Sequence, residues 1–460
     1  MDAQVGIEVC LGASAADALS QYQRILPPEF FDRLGQKQGR RRNNRIYTDG
    51  VVIWLMTAQR MQGHGTLENG VLELLRGLPG SFWPHPCKRL RVGLDGKKPT
   101  LSANTGAYND ARQGLAVEIV DQAFDHTFER LMEQAHGVLQ TAGRRAFFFD
   151  GTSVRMPHTE ALCQAYPPGS NQHGECHWPL MRMLVAHDLD TGLAMRPAWG
   201  PMNGPHAVSE QALLEHAIDR LPSEAVVTGD INFGVFSVAY TGRRKNHPVL
   251  LRLSEARAKY LLGGAWRDGI DRRITWKPSR WDRDSHPQLP PEACVPGRLI
   301  VREVKPSDGS DPFLLALFTT LEGQADDLIQ LYGKRWNIET DLRSLKGSLH
   351  LEQLTCTSPQ MVAKEIDTAL LAYNLVRAIT CLAAEQAGLT VRAFSFTRVR
   401  RLIHAFAPLI ANAKDADEGR ELFEKMMYYV RRAKLYKRKR RSYPRAVWGR
   451  PQVYPKRKAN

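Results

Sequence analysis

Apolar and polar positions along this chain change their period more than once. In the first part, apolar residues recur at the three- and four-residue spacing of amphipathic helices. Pro28 to Gly35, Asp49 to Met61 and Leu115 to Leu139 are the clearest examples. Gly63 and Gly65 stop the second of these. Arg40, Arg41, Arg42 and Arg45 fall in a polar break, and residues 79–106, rich in Gly and Pro, read as loop. The pattern predicts a helical N-terminal region over 1–140.

A different period begins near residue 145. Arg145 to Val154 is a short apolar run closed by Asp150-Gly151, as expected of a buried strand. Trp178 to Asp188 and Leu193 to Trp199 follow as a hairpin about the turn Asp190-Thr191-Gly192. Ser209 to Leu221 has helical spacing, Ala225 to Asp230 is another short strand ending in an acid, and His247 to Leu253 is a fifth. Strand, strand, strand, helix, strand, helix, strand is the order of a ribonuclease-H-like fold. The fold class expected is therefore α/β, with such a core split between 141–254 and 313–390.

Residues 255–312 interrupt that core. They carry Pro287, Pro290, Pro291 and Pro296, and they set Trp266, Trp276 and Trp281 among arginines. Thr275-Trp276 and Arg298 to Val304 read as strands, so a β-rich insertion is expected. Aromatics among arginines suit stacking on an unpaired base or packing of the insertion itself. Phe313 to Thr319 returns to a core strand. One helix from Asp326 to about Leu349 follows, and another from Gln360 to Ala387.

Charge sharpens the picture. The formal net charge is +15 over 460 residues, with 43% apolar and 24% charged positions. From Val391 to Asn460 there are 20 Lys/Arg against 5 Asp/Glu, which leaves the first 390 residues formally neutral. A surplus concentrated in one segment, 391–460, points to a basic helical C-terminal region that meets an anionic polymer, nucleic acid first. Seven scattered cysteines without a Cys-x-x-Cys pair suit a reduced, cytoplasmic protein. The histidines and cysteines between His158 and His187 fit no zinc-finger spacing. The first twenty residues lack the pattern of a secretory signal, and no run of eighteen apolar residues suggests a membrane span.

Three acids carry the candidate chemistry. Asp150 and Asp230 end strands, and Glu339 lies on the long helix that follows the core. Cleaving a phosphodiester calls for two hard cations, and magnesium prefers carboxylate oxygen. On a single helix at about 100° per residue, Tyr332, Arg335, Glu339 and Lys346 share a stripe roughly 60° wide beside a leucine stripe. A carboxylate flanked by two cations and a phenol suits a metal-bound phosphodiester. An exposed face laced with ion pairs has the same spacing.

The segment Tyr332-Gly333-Lys334-Arg335-Trp336-Asn337-Ile338-Glu339, continued to Lys346, resembles the Y-(2)-R-(3)-E-(6)-K signature of the insertion-sequence-four family of bacterial DDE transposases. Asp150-Gly151-Thr152 followed by Arg155-Met156-Pro157 is similar to the family as well, and so are Leu351 to Cys356 and Leu370 to Arg377. The resemblance covers 145–380, and 15–75 more loosely. It implies that Asp150, Asp230 and Glu339 are catalytic and hold metal. It implies that Tyr332, Arg335 and Lys346 bind transposon-end DNA. The cofactor implied is Mg2+, two ions, with Mn2+ able to substitute. The partners implied are double-stranded DNA, at transposon ends and target, and a second copy of the chain in a homodimer on DNA. The helical region 1–140 would then also bind DNA, in the bacterial cytoplasm. Two other readings share these residues: a nuclease that cuts without joining, and a non-catalytic DNA-binding protein derived from a transposase.

Overall fold

In a computed structural model, residues 18–37, 46–63, 65–94, 100–135, 144–171, 174–305, 311–435 are described. The chain divides into two compact units. One comprises Met1–Gly137, Arg155–Pro179 and Leu342–Asn460; the other comprises Val138–Val154 and Leu180–Asp341.

The second unit is built on a mixed sheet. Its strands are β1 (Ala146–Arg155), the later part of β3 (Gly174–Asp188), β4 (Ala198–Pro201), β5 (Val226–Gly229), β6 (Val249–Arg252), β7 (Ile270–Trp276), β8 (Val295–Val304) and β9 (Phe313–Thr319). They run in the order β3-β1-β5-β6-β9-β8-β7, and β4 also pairs with β3. β1, β5 and β6 are parallel neighbours, whereas β9, β8 and β7 continue the sheet antiparallel. The β-rich segment thus extends the core sheet. β8 is paired with β9 along seven residues, from Arg298↔Thr319 to Val304↔Phe313. Ala146, Phe147, Phe148 and Phe149 are all buried, as are Val226 and Val227 beside them. A continuous apolar run is what a strand covered on both faces requires. Full burial of each such aromatic contributes about 1.5–3 kcal/mol.

Register matters most for the site. β1 and β5 pair from Ala146↔Val226 to Phe149↔Gly229. The next residue on each strand is an acid, so Asp150 and Asp230 lie side by side where the pairing of β1 with β5 ends; β1 itself runs on to Arg155, so Asp150 sits within its strand rather than at the end expected from the sequence. Adjacent strands lie about 4.8 Å apart. Between β4 and β5 the chain forms α9 (Glu210–Ala217), whose N-cap Ser209 accepts from the Ala212 N–H and whose Leu213, Leu214 and Ala217 face the core. The eight described α-helices that precede it in the chain, from Ala18–Ile25 to Glu160–Ala165, all belong to the first unit.

The expected single helix from Asp326 to Leu349 is broken. α13 (Ala325–Gly333) ends at a glycine and α14 (Trp336–Arg343) begins three residues later. Ser344–Ser348 then winds as a π-helical turn. Across the break the N–H groups of Lys334, Arg335, Asn337 and Ile338 each reach back three residues rather than four. Three-residue bonding turns the chain about 120° per residue instead of 100°. The side-chain stripe counted on one regular helix therefore does not survive the break. The stretch 79–106 likewise departs from a plain loop, since Lys88–Leu94 forms the short helix α5.

The first unit centres on α15 (Pro359–Ala387), started by Ser358 and Pro359 and stopped by left-handed Gly388. Its length and composition would let it cross a membrane, but 89% of its most apolar window is buried inside the protein. It packs against α3 (Asp49–Gln62), α7 (Val117–Gln134) and α16 (Phe396–Ala411). Glu365 on α15 is buried and ion-paired with buried Arg60 of α3. It also accepts from the Thr355 N–H, the Thr355 hydroxyl and the Cys356 N–H. Lys364 donates to the carbonyls of Arg112 and Gln113, closing the end of α6 (Gly106–Gly114).

Candidate active site

The second unit brings Asp150, Asp230 and Arg335 into one electrostatic neighbourhood. The Asp150 carboxyl is pushed up to about 6, first by burial, then by the charges of Asp230 and Glu210. The Gly151 N–H and the Arg335 guanidinium act in the opposite direction. Neutralising part of that crowding is what a cation would do, so the donor set fits a hard divalent ion.

Glu339 is held differently. Arg335 ion-pairs with it at 3.5 Å, and the Arg335 guanidinium also lies over the Trp336 ring, 4.7 Å from its centroid. Trp336 is 65% exposed. Arg335 thus stands between Asp150 and Glu339. Among the described residues no three His, Cys, Asp or Glu side chains converge tightly enough to hold one ion.

Tyr332 is not on an outward stripe. It is buried beside Phe148, with ring centroids 6.2 Å apart, on α13 ahead of the break. Burial pushes its phenol up to about 12, against the pull of Arg335 and Arg252. Lys346 is half-buried in the π-helical turn and belongs to the first unit. Of the insertion's tryptophans, Trp276 is buried against Phe236 and Phe318, while Trp281 is 64% exposed. The most basic stretch, 436–460, lies outside the described residues.

Two residues escaped the sequence reading. Glu210, the first residue of α9, reaches Gly151 beside Asp150 within β1; a Cβ on Gly151 would collide with its carboxylate. Asn232, two residues past Asp230, donates its backbone N–H to Asp230 Oδ1 at 2.8 Å. An Asp followed two residues on by Asn is a turn signal. Nothing in the sequence says that a helix starting at Glu210, 60 residues on from Asp150, would begin beside Asp150 and Gly151.

Acids side by side on adjacent parallel strands, with an arginine close by, suit phosphodiester chemistry. The transposase DDE domain family matches residues 141–375, half of the chain. The transposase InsG for insertion sequence element IS4 of Escherichia coli (strain K12) is similar to this chain, 26% identical over 376 residues, 80% of this chain and 81% of its own. The chain belongs to the DDE transposases and is an enzyme acting on DNA, of a family that depends on divalent metal.

Proposed function

We propose that this transposase binds the ends of an insertion sequence and uses Asp150, Asp230 and Glu339 as its three metal-holding carboxylates, with two Mg2+ ions and with Mn2+ as a substitute. The observation that carries this reading is the side-by-side placement of Asp150 and Asp230, fixed by the Phe149↔Gly229 register, together with the raised Asp150. Bound cations would activate the attacking oxygen and stabilise the leaving one. The strand order, with parallel β1, β5 and β6 flanked by β3 and β4, supports a ribonuclease-H-like core.

The protein's own groups supply binding and orientation. Arg335, between Asp150 and Glu339, is placed to take a phosphate oxygen of the element end. Lys346 adds a second phosphate contact. Tyr332, packed on Phe148 and close to Arg335, would be the third residue to hold the element end. An element has two ends, so a homodimer with one chain per end suits the task, acting in the cytoplasm on transposon and target DNA. Region 1–140 would contribute DNA contacts.

The test is cleavage of a labelled element end in Mg2+. Asp150→Asn, Asp230→Asn and Glu339→Gln should each abolish nicking and retain DNA binding, since affinity comes mainly from phosphate contacts. Robust nicking by any of the three would remove that residue from the catalytic set. Joining of the cut end to a second DNA separates transposition from simple nuclease action.

A further inference from the structure

Glu210 and Asn232 bind to one another across the mouth of the site. Asn232 Nδ2 donates to Glu210 Oε2 at 2.5 Å, and the Asn232 backbone N–H donates to Asp230 Oδ1 at 2.8 Å. Gln211, the next residue of α9, donates to both the Asn232 carbonyl at 2.8 Å and its side-chain oxygen at 3.0 Å. Asn232 is exposed, yet its side chain and main chain are both tied to the first turn of one helix. That turn is itself fixed, by the Ser209 cap and by Leu213 and Leu214 in the core.

Glu210 lies in the first turn of α9, a favourable place for a negative charge, but its carboxylate is engaged elsewhere. Among the described residues it makes no ion pair. It stands close enough to Asp150 to raise that carboxyl by its charge, and in its present rotamer it occupies the space beside Gly151 that a Cβ would need. A carboxylate kept among other carboxylates costs stability unless it does something else there. Its hydrogen bond to Asn232 is that function. The bond spans 22 residues of sequence and joins α9 to the loop after β5.

We infer that Glu210 is a positioning residue of the catalytic centre: through Asn232 it holds the loop that orients the Asp230 carboxylate, beside Asp150-Gly151 of β1. The inference rests on the proposed role of Asp150 and Asp230. Glu210 is assigned no contact with substrate. What it supplies is a fixed acceptor, so the amide of a glutamine, whose carbonyl oxygen also accepts, should serve nearly as well. A role through charge would not tolerate that exchange.

The experiment compares Glu210→Ala, Glu210→Gln, Asn232→Ala and the Glu210→Ala/Asn232→Ala double variant. Single-turnover nicking of an element end is measured alongside DNA affinity. Loss of a group that orients a metal ligand typically costs 10- to 100-fold in activity. Glu210→Ala and Asn232→Ala should therefore nick about 10- to 100-fold more slowly with unchanged affinity. The double variant should be no slower than the worse single one, and Glu210→Gln should stay within about threefold of wild type. A second reading needs no catalysis. In metal-free protein, amide exchange over residues 230–235 should quicken in Glu210→Ala and Asn232→Ala but not in Glu210→Gln.

Wild-type nicking by Asn232→Ala, additive losses in the double variant, or Glu210→Gln as slow as Glu210→Ala would each overturn the relay. If Glu210→Ala does not fold, the contrast between Asn232→Ala and Glu210→Gln decides alone. The controls are Asp150→Asn and Asp230→Asn. If these nick normally, the reading of the site fails, and that failure is visible apart from any result at Glu210.

Discussion

Arg335 is ion-paired with Glu339 one helical turn on, at 3.5 Å, and the same guanidinium pulls down the Asp150 carboxyl. One cation therefore touches the electrostatics of two of the three proposed catalytic acids. It stands in the turn between α13 and α14, where the backbone reaches back three residues. Its side chain is only 20% exposed.

Removing Arg335 should accordingly affect DNA positioning and the acids together. Arg335→Ala should weaken binding of an element end by about tenfold, near 1.4 kcal/mol, and slow nicking further. Arg335→Lys should recover only part of the loss, because an ammonium cannot reproduce a planar two-pronged contact. Filter or gel binding on the three proteins checks this. Full recovery by lysine would reduce the role to simple charge.

The raised Asp150 carboxyl makes stability depend on pH in a definite direction. Its folded value, about 6, lies above its ordinary value of 3.8. The stability linked to this group is present below the ordinary value and is lost as pH rises through about 6. Relative to Asp150→Asn, which does not titrate there, wild-type protein in chelator should lose roughly 3 kcal/mol between about pH 4 and pH 7. A divalent cation added at about pH 7 should raise the unfolding midpoint of wild type and leave Asp150→Asn much less changed. Chemical unfolding across that window decides the matter. A constant difference between the two proteins would mean that Asp150 is not held in a raised state.

Buried charge in the first unit allows a stability prediction. Glu365→Ala leaves Arg60 buried without its carboxylate and strips the acceptors from Thr355 and Cys356. Breaking one half of such a pair costs about 3–5 kcal/mol. The double variant Arg60→Met/Glu365→Leu should restore much of it, since an apolar pair of similar volume avoids desolvation. Urea unfolding of the single and double variants measures both. A loss below 1 kcal/mol in Glu365→Ala would show the network to be dispensable.

The basic terminus can be tested by truncation. Arg431 bonds to Gln386, Arg432 stacks on Tyr428, and Leu435 donates its N–H to the Ala393 carbonyl, so a cut placed after Leu435 spares these contacts. Residues 436–460 hold ten Lys/Arg and no acid. If a third of those cations meet phosphate, deletion should lower the log–log salt slope of DNA binding by about three. Binding titrations of full-length and truncated protein at several salt concentrations report it. An unchanged slope would exclude the tail from DNA contact.

The sequence by itself determined the strands of the core. Phe147, Phe148 and Phe149 before Asp150, and Val226 and Val227 before Asp230, read as buried strands, because short runs so apolar and β-prone must leave water whatever the rest of the chain does. It also supplied the family through the spacing from Tyr332 to Lys346. Local pattern could not set the pairing register that puts Asp150 beside Asp230, since that depends on contacts 80 residues apart. Nor could it foresee that Gly333 would end a helix ahead of Arg335 and Glu339, because helix periodicity presumes an unbroken four-residue ladder. Glu210 shows the limit most plainly. In the sequence it is an acid in the first turn of a helix, a favourable place for negative charge in any protein. Only the tertiary structure, by laying that helix end against Gly151 and Asn232, gives the carboxylate specific neighbours.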